Sequence, residues 1–201
     1  MRAPAILLLL LVLASPPAAA GEPCAKCHAG AAERSYALSK HGVIARIEAG
    51  QARRRAPDCV TCHAFETTAP APKHYVDATA RAEARRQASA SCGACHSPRY
   101  VTEQLAAAQR GLALGGMKQR EADALAESAR KEVKGPELAY IEKLLATLRN
   151  ENLRDLRLGL AHQSPDYQWW LGQAALDGSL LRIKGALGEA RRARAIAAAG
   201  R

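Results

Sequence analysis

The chain has 201 residues, 29 Lys and Arg against 19 Asp and Glu, a formal net charge of +10, and an aromatic content of only 4% with a single Phe. So few aromatics cannot build an ordinary core of this length. No apolar run beyond the first 20 residues is long enough to cross a bilayer, and no nucleic-acid recognition motif accompanies the basic charge, so nucleic acid is not an expected partner.

In chain order, residues 1–20 read as a cleaved signal peptide. Arg2 opens it, Ile6 to Ala14 is a short apolar run, and Ala18-Ala19-Ala20 fits a small-residue cleavage site before Gly21. The alternative is an uncleaved anchor. Cleavage implies export and a periplasmic location. Removing Arg2 leaves 28 basic against 19 acidic residues, a balance of +9, so the mature chain stays basic.

Between positions 24 and 96 the pattern Cys-x-x-Cys-His occurs three times: Cys24, Cys27 and His28; Cys59, Cys62 and His63; Cys92, Cys95 and His96. Each copy reads as an attachment site for a covalent haem c. Two thiols at this spacing can add to the two vinyl groups of a porphyrin, and the adjacent His then lies beneath the ring as an iron ligand. Three complete copies use all six cysteines of the chain. Zinc knuckles or dithiol redox chemistry need only Cys-x-x-Cys and leave the repeated His unexplained.

Three histidines lie outside the motifs, His41, His74 and His162, which matches one spare imidazole to each haem. The only methionines are Met1 and Met117, so at most one haem could be His/Met and the simplest set is three bis-His haems. For His41 the competing reading is a core histidine, since Leu38 and Ile44 lie three residues to either side.

The motifs form a weak repeat, with successive first cysteines 35 and 33 residues apart. The spacing predicts an amphipathic helix over 33–49 carrying His41, a loop over 69–72 delivering His74, and a helix from Asp77 to the third motif. Ser97-Pro98, Gly135-Pro136 and Ser164-Pro165 then mark the starts of three long helices, over about 98–134 with an interruption possible at Gly115-Gly116, about 136–162 and about 165–198. The expected fold is all-α: a compact triheme c-type unit over 21–97, followed by a bundle of long antiparallel helices over 98–201 packed on the haems. Three porphyrins would supply the apolar surface that the aromatics do not.

Four stretches carry a family resemblance. Ser39-Lys40-His41-Gly42, the run Ala56 to His63, the run Cys92 to Tyr100 and the run His162 to Trp170 resemble the C-terminal haem region and helices of hydroxylamine oxidoreductase-like multihaem cytochromes c. The resemblance covers nearly the whole mature chain and implies that His41, His74 and His162 are the distal ligands. It departs from the family in haem number, since members usually carry about eight, one with an open iron, and the motifs for the others are absent here. In catalytic members a tyrosine cross-links that haem; Tyr167 is a possible counterpart, and a packing tyrosine is the ordinary reading.

Two function classes stay open. The first is an electron carrier whose irons are all closed by imidazoles, passing electrons between periplasmic redox partners. The second is a haem redox enzyme, or a subunit of a larger multihaem complex, acting on a small nitrogen compound such as hydroxylamine or nitrite. Arg53 to Arg55, Arg81 to Arg86 and Arg191 to Arg194 concentrate the positive charge. They read either as partners of haem propionates and solvated faces, or as a docking surface for an acidic redox protein or enzyme subunit. Peripheral membrane contact and an oligomer are both compatible with the sequence.

Overall fold

The computed structural model describes residues 28, 30–51, 55–63 and 78–200. The signal-peptide segment, Cys24, Cys27, His74, the 69–72 loop and the pair Arg53-Arg54 lie outside the described residues. The chain is all-α, with no strand among the described residues.

Among the described residues four helices carry the motif region: α1 (Ala31–Ala37), α2 (Lys40–Ile47), α3 (Cys59–Cys62) and α4 (Ala78–Gly93). The single helix expected over 33–49 is therefore two. Ser39 breaks it by adopting an extended conformation and accepting a hydrogen bond from the Gly42 amide at 3.1 Å, a side-chain cap that restarts the chain as α2. Gly42 makes the sharp corner possible. A Cβ there would stand 2.1 Å from the Tyr36 carbonyl oxygen and 2.8 Å from the Ala37 Cα.

The second half forms a three-helix up-down-up bundle. It runs through α5 (Pro98–Glu132), α6 (Gly135–Thr147), a π-helical turn over Leu148–Asn152, α7 (Leu153–Ala161), a second π segment over Tyr167–Ala174, and α8 (Ala175–Ala199). Ser97 caps α5 through the Tyr100 amide, with Pro98 in the first turn. Ser164 makes no such bond, and its buried hydroxyl has no hydrogen-bond partner. The α5 helix continues through Gly115-Gly116 without the interruption, because Gly115 serves packing: a Cβ there would come within 2.5 Å of Leu156 Cδ2.

Cross-links fix the directions. Arg130 pairs with Glu142 and Arg149 with Asp123, so α5 and the following helices run antiparallel. Lys118 pairs with Asp177 and Lys184 with Glu121, so α8 returns parallel to α5. Gly159 and Gly172 let α7 and the second π segment touch backbone to backbone, against Gln168 and Leu156.

The bundle core is aliphatic. Ala122, Ala126 and Ala129 allow α5 to approach Ile141, Leu145, Leu148, Leu156, Leu176 and Ile183, all fully or nearly fully buried. Each such Leu or Ile contributes about 1.5–3 kcal/mol relative to exposure. Before position 98 the picture inverts. The buried residues among those described there are Ser35, Ser39, Gly42 and Glu48, none with a large apolar side chain, while Leu38, Ile44, Ile47 and Val60 are exposed.

Candidate metal centre

The second motif is built by Asp58, which caps α3: one carboxylate oxygen accepts from the Thr61 amide at 2.8 Å and the Thr61 hydroxyl at 2.7 Å. The amide bond, followed by the hydroxyl bond, holds Asp58 below its ordinary value. Upstream, Glu48 at the end of α2 accepts from the Arg55 amide at 2.7 Å, the Arg55 guanidinium at 2.6 Å and the Ala56 amide at 3.3 Å. Tyr36 of α1 donates to the Pro57 carbonyl at 2.7 Å. Together these fasten the entry of the second motif to α1 and α2. Desolvation first, then the neighbouring Cys59, Asp58 and Cys62, push the Tyr36 hydroxyl up to about 12, so it remains a neutral donor.

His63, directly after α3, meets His162 at the end of α7: their ring centroids are 6.3 Å apart and their planes 85° apart. His162 is brought there by a helix stop of Schellman type. The Ser164 amide bonds the Gly159 carbonyl at 2.9 Å and the Gln163 amide the Leu160 carbonyl at 3.4 Å, with Gln163 at φ 51°. Gln163 is not glycine, and its side-chain amide offsets part of the strain by donating to the Leu160 carbonyl at 2.9 Å. Burial, and then His63, push His162 down to about 4, keeping the imidazole neutral.

The third motif closes α4, and His96 lies with its centroid 5.9 Å from that of His41 on α2, the planes tilted by 41°. Tyr100, in the first turn of α5, stacks on His96 at 4.7 Å. Desolvation and then His96 lower the His41 value, so this ring too is held neutral, the form that binds metal. The two motifs adjoin. The Ser91 hydroxyl reaches the Cys62 carbonyl at 3.5 Å, and the Cys62 thiol is raised above 9.0 by desolvation, then by Cys92, Asp58, Cys59 and Cys95.

Of the sequence-predicted site residues, Cys59, Cys62, His63 and His162 thus gather at one place and Cys92, Cys95, His96 and His41 at a second. His28 is described but exposed, and the partners expected for it, Cys24, Cys27 and His74, lie outside the described residues. No disulfide joins the four described cysteines. Among the described residues no group of three or more His, Cys, Asp and Glu side chains could hold a bare metal ion.

A zinc knuckle needs such a group, whereas a haem iron takes four nitrogens from its porphyrin and needs only two from protein. Two imidazoles on opposite faces of one iron, each bound at about 2.0 Å, place their centroids roughly 6 Å apart. Both observed separations match. The exposed Leu38, Ile44 and Val60 lie within three residues of His41 and His63 and leave apolar surface beside the two imidazole pairs. Ser35 and Tyr36, which the sequence did not single out, complete the second site: the Ser35 hydroxyl lies 2.6 Å from His162 Nδ1, and Tyr36 meets the same ring edge-on at 6.2 Å. A serine and a tyrosine inside a helix carry no sequence signal for this role.

Tyr167 is fully buried while Trp169 and Trp170 are exposed, in keeping with a packing role for the tyrosine. In the C-terminal basic cluster, Arg191 and Arg194 both grip Glu132 on α5, and Arg191 with the other partners holds that carboxyl down at about 2. No helix among the described residues is long and apolar enough to cross a membrane. Comparison of the chain with protein-family models and with curated proteins finds no match for it.

Proposed function

We propose that the chain is an exported triheme c-type cytochrome that transfers electrons between redox partners. The observation that carries this reading is the pair of imidazole couples, His63 with His162 and His41 with His96. Each joins the histidine of a Cys-x-x-Cys-His motif to one of the spare histidines, at the separation that two axial ligands of one iron require. That leaves His28 and His74 as the ligands for the third haem.

Bound haem supplies one-electron chemistry at iron. The chain's own residues set its terms. Cys59 with Cys62, and Cys92 with Cys95, stand next to their proximal histidines and can hold the ring covalently. His162 and His41 would close the far faces of these two haems and leave no position there for a substrate, which favours electron transfer over catalysis. The contact between Ser91 and the Cys62 carbonyl keeps the second and third sites side by side, which suits electron passage between them. Among the described residues before position 98 no large apolar side chain is buried, which supports the same reading, since that part of the chain needs an apolar body to condense around.

The test is direct. The secreted protein should carry three haems that survive acid-acetone extraction, all of them low-spin in the ferric state. A mass with fewer than three haems, or a high-spin signal with rapid carbon monoxide binding in the intact protein, would sink it.

A further inference from the structure

Resting on the reading of His162 as an axial ligand, we propose that Ser35 is its positioning residue: the Ser35 hydroxyl accepts a hydrogen bond from His162 Nδ1–H and so fixes the tautomer that presents Nε2 to the iron.

Ser35 is completely buried in the middle of α1. Its oxygen makes two short contacts, 2.6 Å to His162 Nδ1 and 2.9 Å to the Leu158 carbonyl oxygen. A hydroxyl has one proton, and a carbonyl oxygen can only accept. Only one proton arrangement satisfies both contacts: Ser35 donates to Leu158, and its lone pair accepts from the imidazole Nδ1–H. The reverse arrangement would set two oxygen lone pairs against each other at 2.9 Å. With its proton on Nδ1, the neutral ring has its free lone pair on Nε2, the nitrogen farther from the backbone.

Leu158 and His162 belong to the same helical turn, since the His162 amide also bonds the Leu158 carbonyl, at 3.0 Å. Ser35 therefore ties the ring to the helix that carries it and links α1 to α7 at one point. The edge-on Tyr36 ring, with its planes 77° apart from the imidazole, limits rotation from another side. A hydrogen-bond partner on the second ring nitrogen orients a ligating His and makes it more basic, and its loss typically costs about 10–100-fold in ligand affinity.

The holoprotein, loaded with its three haems, provides the test. Exogenous imidazole is titrated against wild type, Ser35→Ala, Ser35→Cys, Ser35→Thr and His162→Ala, and displacement is followed by absorbance and electron paramagnetic resonance. Ser35→Ala and Ser35→Cys should lower the imidazole concentration that displaces one ligand by about 10–100-fold, at one haem only. Ser35→Thr, which keeps the hydroxyl, should restore it. A merely structural role for Ser35 would loosen more than one haem. If either Ser35→Ala or Ser35→Cys loads three haems and titrates as wild type while His162→Ala opens one iron, the inference falls and the ligand reading stands. If His162→Ala leaves all three irons low-spin, the ligand reading falls and the inference with it.

Discussion

His63 and His162 lie in opposite halves of the chain, yet their rings stand 6.3 Å apart with planes 85° from each other. His41 and His96 repeat the relationship at 5.9 Å, with planes only 41° apart. The shared distance points to a shared task, and the different angles give each couple a signature.

That angle can be read spectroscopically. When two axial imidazole planes are nearly perpendicular, neither of the iron orbitals that overlap with them is favoured, and the low-spin ferric signal spreads to a large highest g value. More nearly parallel planes split the orbitals and narrow the spread. The ferric protein should therefore show at least two distinct low-spin signals. Removing the second haem with Cys59→Ala and Cys62→Ala should abolish the more anisotropic one; persistence of that signal would contradict the His63–His162 couple.

The couples also predict how variants combine. His41→Ala and His162→Ala should each convert one haem to a high-spin or weakly ligated form. In a protein already lacking the second haem, His162→Ala should change nothing further, while His41→Ala should still open an iron. Reversed behaviour in absorbance spectra would exchange the partners.

Gly42→Ala tests the corner that places His41. The added Cβ would collide with the backbone of Tyr36 and Ala37, so α2 must move off α1. A stability loss of about 1–3 kcal/mol is expected, together with a weakened His41 ligand. Gly185→Ala is the control: nothing lies within 4 Å of its Cβ, and it sits inside α8. That change should stabilise by about 0.5–1 kcal/mol in chemical denaturation.

Glu48 predicts an acid limit. The Arg55 amide, then its guanidinium, lower the Glu48 carboxyl from its ordinary 4.5. A carboxylate with a depressed folded value gives its stabilisation in full above 4.5 and loses it as pH falls through that lower value. Thermal melts should show the loss in wild type and a flatter acid limb in Glu48→Gln. Equal slopes would mean that the Glu48 bonds do not hold the second motif's entry.

Potential and partner form a further expectation. Imidazole favours ferric iron more than a thioether does, so three bis-His haems should titrate below the standard hydrogen potential, within an axial-ligand range of roughly 0.8 V. Electron exchange with an acidic partner should slow as salt screens charges beyond about 8 Å at physiological ionic strength. Since Arg191 and Arg194 are engaged with Glu132, Arg192→Ala should weaken that salt dependence more than Arg191→Ala.

Much of this architecture was legible in the residues, because local signals reported local events. Ser97-Pro98 announced the start of α5. Ser39 was misread because a serine within a helical pattern looks neutral until its hydroxyl is seen capping Gly42. Gly115 looked like an interruption and is a contact point, since only the neighbouring helix reveals why a side chain is excluded. The π segments leave no mark in a hydrophobic period. The motifs identified six cysteines and three histidines, and counting added three spare ones, but which spare His faces which motif depends on a long-range approach that spacing does not encode.

The placement of His162 on the turn that closes α7 has a bearing on synthesis. A chain made from its N-terminus exposes Cys59, Cys62 and His63 while the residues that will carry their distal partner do not yet exist. If these residues hold a haem, the second centre cannot be completed until α7 has wound and its stop has formed at Gln163. Completion of that couple would then report that the C-terminal half has folded, and a truncated or unfinished chain would announce itself by an iron left open to small ligands.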